Sequence, residues 1–140
     1  MKQRVLFLCT HNANRSQMAE GLVNHFLGDR WEARSAGTEA TAVNPRAIRA
    51  MAELGIDISG HRSKTLDEFD GQSFDRVITL CGDAGEKCPL FVGGVRRQHL
   101  GFDDPSRAAG TEEEIMTGYR RVRDEMRQEL TSHLAGGDHE

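Results

Sequence analysis

Val5-Leu6-Phe7-Leu8-Cys9-Thr10-His11-Asn12-Ala13-Asn14-Arg15-Ser16 joins an apolar run to a polar turn, and its reading decides the fold. An unbroken run such as Val5 to Leu8 marks a strand buried on both faces, because each face needs its own apolar row. The strand ends at Cys9. Past the turn, Met18, Leu22, Val23, Phe26 and Leu27 recur at helical spacing, and Gly28 stops the helix. Strand, short polar loop, helix is the arrangement of an anion cradle. The five residues between Cys9 and Arg15 let the loop curl so that successive N–H groups point inward. The N-terminus of the next helix adds its partial positive charge. Thr10, His11, Asn12, Ala13, Asn14 and Arg15 form the oxyanion-binding loop. Within it the Arg15 fork matches two oxygens of a tetrahedral oxyanion. The same field stabilises a thiolate, which makes Cys9 a nucleophile to which Ser16 can donate its hydroxyl. Asn12 tolerates the left-handed backbone that a tight loop demands. The loop lacks the Gly-Lys-Ser/Thr of a nucleotide P-loop, so nucleoside triphosphate binding is not indicated. Cys-x5-Arg alone recurs by chance, and the competing reading is a capped turn with Cys9 in the core. Between a buried strand and a helix the motif becomes specific.

Outward from this stretch, Trp31 to Ala36 reads as a second strand. Asn44-Pro45 is a cap and first helical residue opening a helix that ends at Leu54-Gly55. A short helix is expected at Leu66–Phe69. Val77-Ile78-Thr79-Leu80 is another buried run, and it too ends on a cysteine, Cys81. Residues 82–94, with four glycines and Pro89, read as a loop. Arg96 to Phe102 reads as an edge strand ended by Asp104-Pro105. Ile115, Tyr119, Val122, Met126, Leu130 and Leu134 set the period of the last helix. This alternation predicts a single α/β domain over residues 1–140, an open four-stranded parallel sheet with helices on both faces. Ligands of such sheets sit at the carboxyl ends of the strands, where the chain order reverses, and Cys9 and Cys81 both lie there.

A chain of 140 residues suits one domain that folds without disulfides or metal. With 37% hydrophobic and 29% charged residues, it falls outside the disordered class. The net charge of −4 argues against nucleic-acid binding. Apolar runs far shorter than the roughly 20 residues of a span argue against a membrane protein. No signal-peptide pattern follows Met1-Lys2-Gln3-Arg4, so a cytoplasmic enzyme or binding domain is expected. A monomer is the working oligomeric state. Three cysteines, Cys9, Cys81 and Cys88, are an odd number, unlike a secreted disulfide framework. Taken singly, each is as well read as a reduced core thiol. Zinc is not expected, because Cys81-x6-Cys88 exceeds the usual ligand spacing and no finger-spaced His/Cys pair follows.

Cys9-x5-Arg15-Ser16 is similar to the low-molecular-weight protein tyrosine phosphatases. The extension Ser16-Gln17-Met18-Ala19-Glu20-Gly21 resembles the thioredoxin-coupled arsenate reductases of that fold more closely. So do Ser35-Ala36-Gly37, Asn44-Pro45, Leu80-Cys81-Gly82-Asp83-Ala84, Lys87-Cys88-Pro89 and Gly101-Phe102-Asp103-Asp104-Pro105. The resemblance runs from about residue 4 to about residue 131. It implies that Asp104 is the general acid, its register before Pro105 favouring it over Asp103, although a turn-forming aspartate is the bland alternative. It implies arsenate as substrate and arsenite as product, thioredoxin as external reductant and no resident cofactor. It further implies a relay in which Cys9 attacks arsenic, Cys81 attacks Cys9 and Cys88 attacks Cys81, leaving a Cys81–Cys88 disulfide. Hydrolysis of phosphate monoesters by Cys9 alone is the alternative. An oxyanion sensor without turnover ranks last.

Some reductases resembling this chain hold potassium beside the loop, with residues like Asn12, Glu20 and Ser35 and a downstream Asp. Here Lys64 stands where the Asp would be. A lysine repels potassium, and its ammonium could bond Glu20 and Asn12 itself. Potassium is therefore not expected. The competing reading is a solvated Lys64 without a role.

Overall fold

The computed structural model describes residues 2–81 and 94–135. Four parallel strands build one sheet: β1 (Gln3–Cys9), β2 (Trp31–Gly37), β3 (Phe74–Thr79) and β4 (Gly94–His99), in the order β2-β1-β3-β4. The chain leaves β1 for β2 on one side and later returns to β3 on the other, so the order reverses over the carboxyl end of β1. That is the switch point at which open α/β sheets bind ligands.

Val5, Leu6, Phe7 and Leu8 are all fully buried. Val5 and Phe7 pack with α1 (Arg15–Phe26), α2 (Pro45–Ala52) and α3 (Glu112–Ala135). Leu6 and Leu8 pack with Ala36, Phe74, Val77 and Phe69, the last from a 3-10 turn at Leu66–Phe69. Helical segments thus cover both faces of the sheet, unequally. The three α-helices share one face and, among the described residues, the short turn covers the other. Each large β1 side chain contributes about 1.5–3 kcal/mol by leaving water.

Local chemistry sets the element ends. The Asn44 side chain accepts from Arg46 N at 2.9 Å and caps α2 ahead of Pro45. Thr111 and Glu114 bond each other's backbone N–H groups, a capping box that starts α3. The far end of α3 is tied to the sheet by Trp31 Nε1 donating to Leu134 O and Arg76 Nη1 to His133 O, both at 3.1 Å. Its core face carries Met116, Tyr119, Val122, Met126, Leu130 and Leu134, while Ile115 is half-buried beside them.

The edge strand differs from the sequence expectation, spanning Gly94–His99 rather than Arg96–Phe102. Gly94 starts it because Val77 leans on that position, where a Cβ would meet Val77 Cγ2 at 2.5 Å. Past His99, Leu100 N and Phe102 N still donate to Thr79 O and Leu80 O, so the pairing runs on beyond the regular strand. This run-on carries the chain to Asp104 beside the end of β1.

Candidate active site

Cys9 closes β1 and Arg15 opens α1, so residues 10–14 turn between a fixed strand end and a helix N-terminus. Asn12 has φ +52°, the one positive value among the described non-glycine residues. Its side chain is buried and braced on three sides. Nδ2 donates to Ser16 Oγ at 2.7 Å, while Oδ1 accepts from Gln17 Nε2 and Lys64 N, each at 2.9 Å. Ser16 Oγ lies 2.9 Å from Cys9 Sγ. That oxygen already accepts from Asn12, which leaves its own hydrogen available to the sulfur.

Arg15 is buried, its guanidinium gathered among the carboxyl ends of β3 and β4. Nη1 donates to Phe102 O at 3.1 Å and Leu80 O at 3.5 Å, and Nη2 lies 3.7 Å from Asp104 Oδ2. Asp104 Oδ1 accepts from Ser106 N and Ser106 Oγ, at 2.9 and 2.7 Å, which holds Oδ2 toward Arg15. Asp103 turns away to Arg121 at 3.2 Å. Cys9, His11, Ala13, Asn14, Arg15, Asp104 and Ser106 line an open cavity of about 30 Å³. Thr10, Asn12 and Ser16 of the expected site do not line it. His11 is at the rim, 3.5 Å from Glu39.

Cys81 is a buried cysteine just past β3. Leu80 N donates to Leu8 O at 2.9 Å, so Cys9 and Cys81 follow a bonded pair on neighbouring strand ends. They are one residue out of register, which regular parallel geometry spaces at about 6 Å between Cα atoms, within disulfide range. Cys88 lies outside the described residues.

Behind the loop, Glu20 Oε1 accepts from Ser35 Oγ at 2.5 Å and lies 3.9 Å from Lys64 Nζ. Lys64 is buried, not a solvated surface residue. Its ammonium faces Glu20 as expected, but it donates to Arg62 O at 3.1 Å rather than to Asn12. The Asn12 bond comes from the Lys64 backbone instead. The cause is the bridge of Gly37 to Thr65, with Gly37 N donating to Lys64 O, which lays the main chain of this segment against the loop.

Gln17, Gly37 and Ser106 escaped the sequence reading as site residues. Gln17 Nε2 also donates to Asn12 O and Arg62 O, each at 3.1 Å, and Gln17 Oε1 lies 3.0 Å from His61 Nδ1. The available signal was an all-polar first turn, Arg15-Ser16-Gln17, on a helix that has to be buried. At Gly37 a Cβ would stand 2.7–2.8 Å from Thr10 O, Asn12 N and Cys9 O, all main-chain atoms of the loop. Gly37→Ala is therefore expected to displace the loop and weaken inorganic phosphate binding about tenfold, read by titration calorimetry. Unchanged affinity would show that the loop absorbs the methyl group.

Residues 4–137 match the family model of the low molecular weight phosphotyrosine protein phosphatases. An arsenate reductase of Bacillus subtilis is 52% identical over 133 residues, covering 95% of this chain and 96% of the relative. The solved structure of an arsenate reductase in the phosphate-binding state superposes with a TM-score of 0.81 at 32% identity, covering 97% of this chain and 98% of that one. A thioredoxin-dependent arsenate reductase of Corynebacterium glutamicum superposes with a TM-score of 0.63 at 30% identity, covering 96% of this chain and 63% of that one. The chain belongs to the low molecular weight phosphotyrosine protein phosphatase family, among its arsenate reductases.

Proposed function

We propose that the protein reduces arsenate to arsenite with Cys9 as nucleophile, and that Cys81, Cys88 and then thioredoxin carry the oxidising equivalents away. The observation that carries this reading is a second buried cysteine, Cys81, on the strand end beside the Cys9 cradle. Hydrolysis of a phosphate ester needs one thiol. Reduction of arsenic(V) to arsenic(III) needs two electrons, the number released when two thiols form a disulfide.

Arsenate binds with its oxygens on the loop N–H groups and Arg15. Cys9 Sγ attacks arsenic, forming the S–As bond, and one oxygen leaves as water on a proton from Asp104. Cys81 then attacks Cys9 Sγ. The S–S bond forms, the S–As bond breaks, and its electron pair stays on arsenic, giving arsenite. Cys88 attacks Cys81 and frees the Cys9 thiolate. Thioredoxin reduces the Cys81–Cys88 disulfide with two further electrons. The three-thiol relay belongs in a reducing cytoplasm. No described helix is long and apolar enough to cross a membrane. Arsenate-dependent oxidation of NADPH with thioredoxin and thioredoxin reductase tests the whole scheme. Turnover of an aryl phosphate without it would point to the phosphatase alternative.

Potassium fits this loop poorly. Asn12 Oδ1 already accepts two N–H donors, and the Lys64 ammonium stands beside Glu20 where a loop-steadying cation would be needed. Burial pushes the Lys64 pKa down, and the Glu20 carboxylate opposes that shift. Steady-state arsenate reduction is therefore expected to differ little between potassium and sodium at fixed ionic strength, and Lys64→Asp should create a potassium response. Strong potassium activation of the unmodified protein would contradict this reading.

A further inference from the structure

Among the buried polar atoms near the cavity, Tyr119 Oη and Asn14 Oδ1 close no hydrogen bond of ordinary length among the described residues. Tyr119 is fully buried on the core face of α3. Asn14 lines the cavity and occupies the N-cap position of α1 without using its side chain to cap the helix. A buried donor or acceptor left without a good partner is destabilising, so both atoms need a purpose. Burial pushes the Tyr119 phenol up to about 12, and the Asp104 carboxylate adds to that, with Arg46 opposing and the Asn14 side chain opposing through its N–H end, which faces the phenol oxygen. At neutral pH the phenol is therefore a donor. The two unpaired atoms are complementary, one O–H and one carbonyl oxygen on neighbouring side chains.

A tetrahedral oxyanion offers acceptors only, so it has a use for the Asn14 Nδ2 hydrogens and none for Oδ1. A half-turn of the Asn14 carboxamide exchanges these two ends. We propose that Tyr119 is a positioning residue for the oxyanion site: its hydroxyl donates to Asn14 Oδ1 and so presents Asn14 Nδ2 to the bound oxyanion as a further donor. This rests on the cavity being the oxyanion site. It gives α3, which carries no residue lining the cavity, a direct part in anion affinity. Tyr119 touches the anion only through Asn14.

Titration of the full-length protein with inorganic phosphate tests this, comparing Tyr119→Phe, Asn14→Ala and the double variant with the unmodified chain. Tyr119→Phe keeps the ring and its packing. It is expected to weaken phosphate binding about fivefold and to raise KM for arsenate more than it lowers kcat, with no fall in Tm. Asn14→Ala should weaken binding about tenfold, and adding Tyr119→Phe to it should cost nothing further. Phosphate affinity within twofold of the unmodified protein in Tyr119→Phe would overturn the proposal. So would an undiminished Tyr119→Phe effect in the Asn14→Ala background, which would mean that the hydroxyl acts without Asn14. Failure of the unmodified protein to bind phosphate would instead remove the oxyanion reading, and this proposal with it.

Discussion

Cys9→Ser is expected to lose arsenate turnover by about four orders of magnitude while still binding phosphate within a few-fold of the unmodified protein. A serine hydroxyl is hardly ionised at neutral pH, and a Ser16 hydroxyl 2.9 Å away does not change that. The binding apparatus does not depend on the sulfur. Arg15 is held by Phe102 O and Leu80 O, and the loop by Asn12, Gln17 and the Lys64 backbone. Arg15→Ala should show the opposite pattern, with phosphate affinity lost because the only charged fork in the cradle is gone. The NADPH-coupled assay and phosphate titration separate the two. Substantial turnover by Cys9→Ser would remove Cys9 from its assigned role.

Cys88→Ser is expected to release one arsenite per protein and then stall, its steady-state rate with thioredoxin falling about a thousandfold. The reason is access. Cys9 and Cys81 are 2% and 5% exposed, so a disulfide between them is closed to a protein reductant. In the proposed relay Cys88 takes over the Cys81 partnership and so passes the oxidising equivalents on to thioredoxin. Rapid-quench counting of arsenite against steady-state NADPH oxidation reads both phases. Full steady-state activity in Cys88→Ser would mean that thioredoxin attacks the inner disulfide directly.

The parts of this molecule that were legible in its sequence are those whose residues are contiguous. Val5 to Leu8 declared a central strand because both faces of β1 are covered, and the cradle from Cys9 to Ser16 is a single stretch of chain. Asp104 was distinguished from Asp103 by Pro105, and the structure turns Asp103 out to Arg121. What stayed hidden depends on strand register and on contacts between distant segments. Gly37 touches the loop because β2 runs alongside β1, and Lys64 meets Asn12 through its backbone, which no side-chain argument could foresee. Tyr119 read as a core residue, and it is one. Its hydroxyl matters only because α3 packs that ring next to a loop residue 105 positions earlier, Asn14. The start of β4 was misplaced because glycines usually mark loops, whereas Gly94 makes room for Val77.

The most direct measurement is the disulfide map of Cys88→Ser after one turnover with arsenate and no thioredoxin. The relay predicts a peptide in which Cys9 is joined to Cys81, formed in proportion to the arsenite released. Cys9 recovered as a free thiol, with arsenite released and Cys81 unpaired, would contradict it.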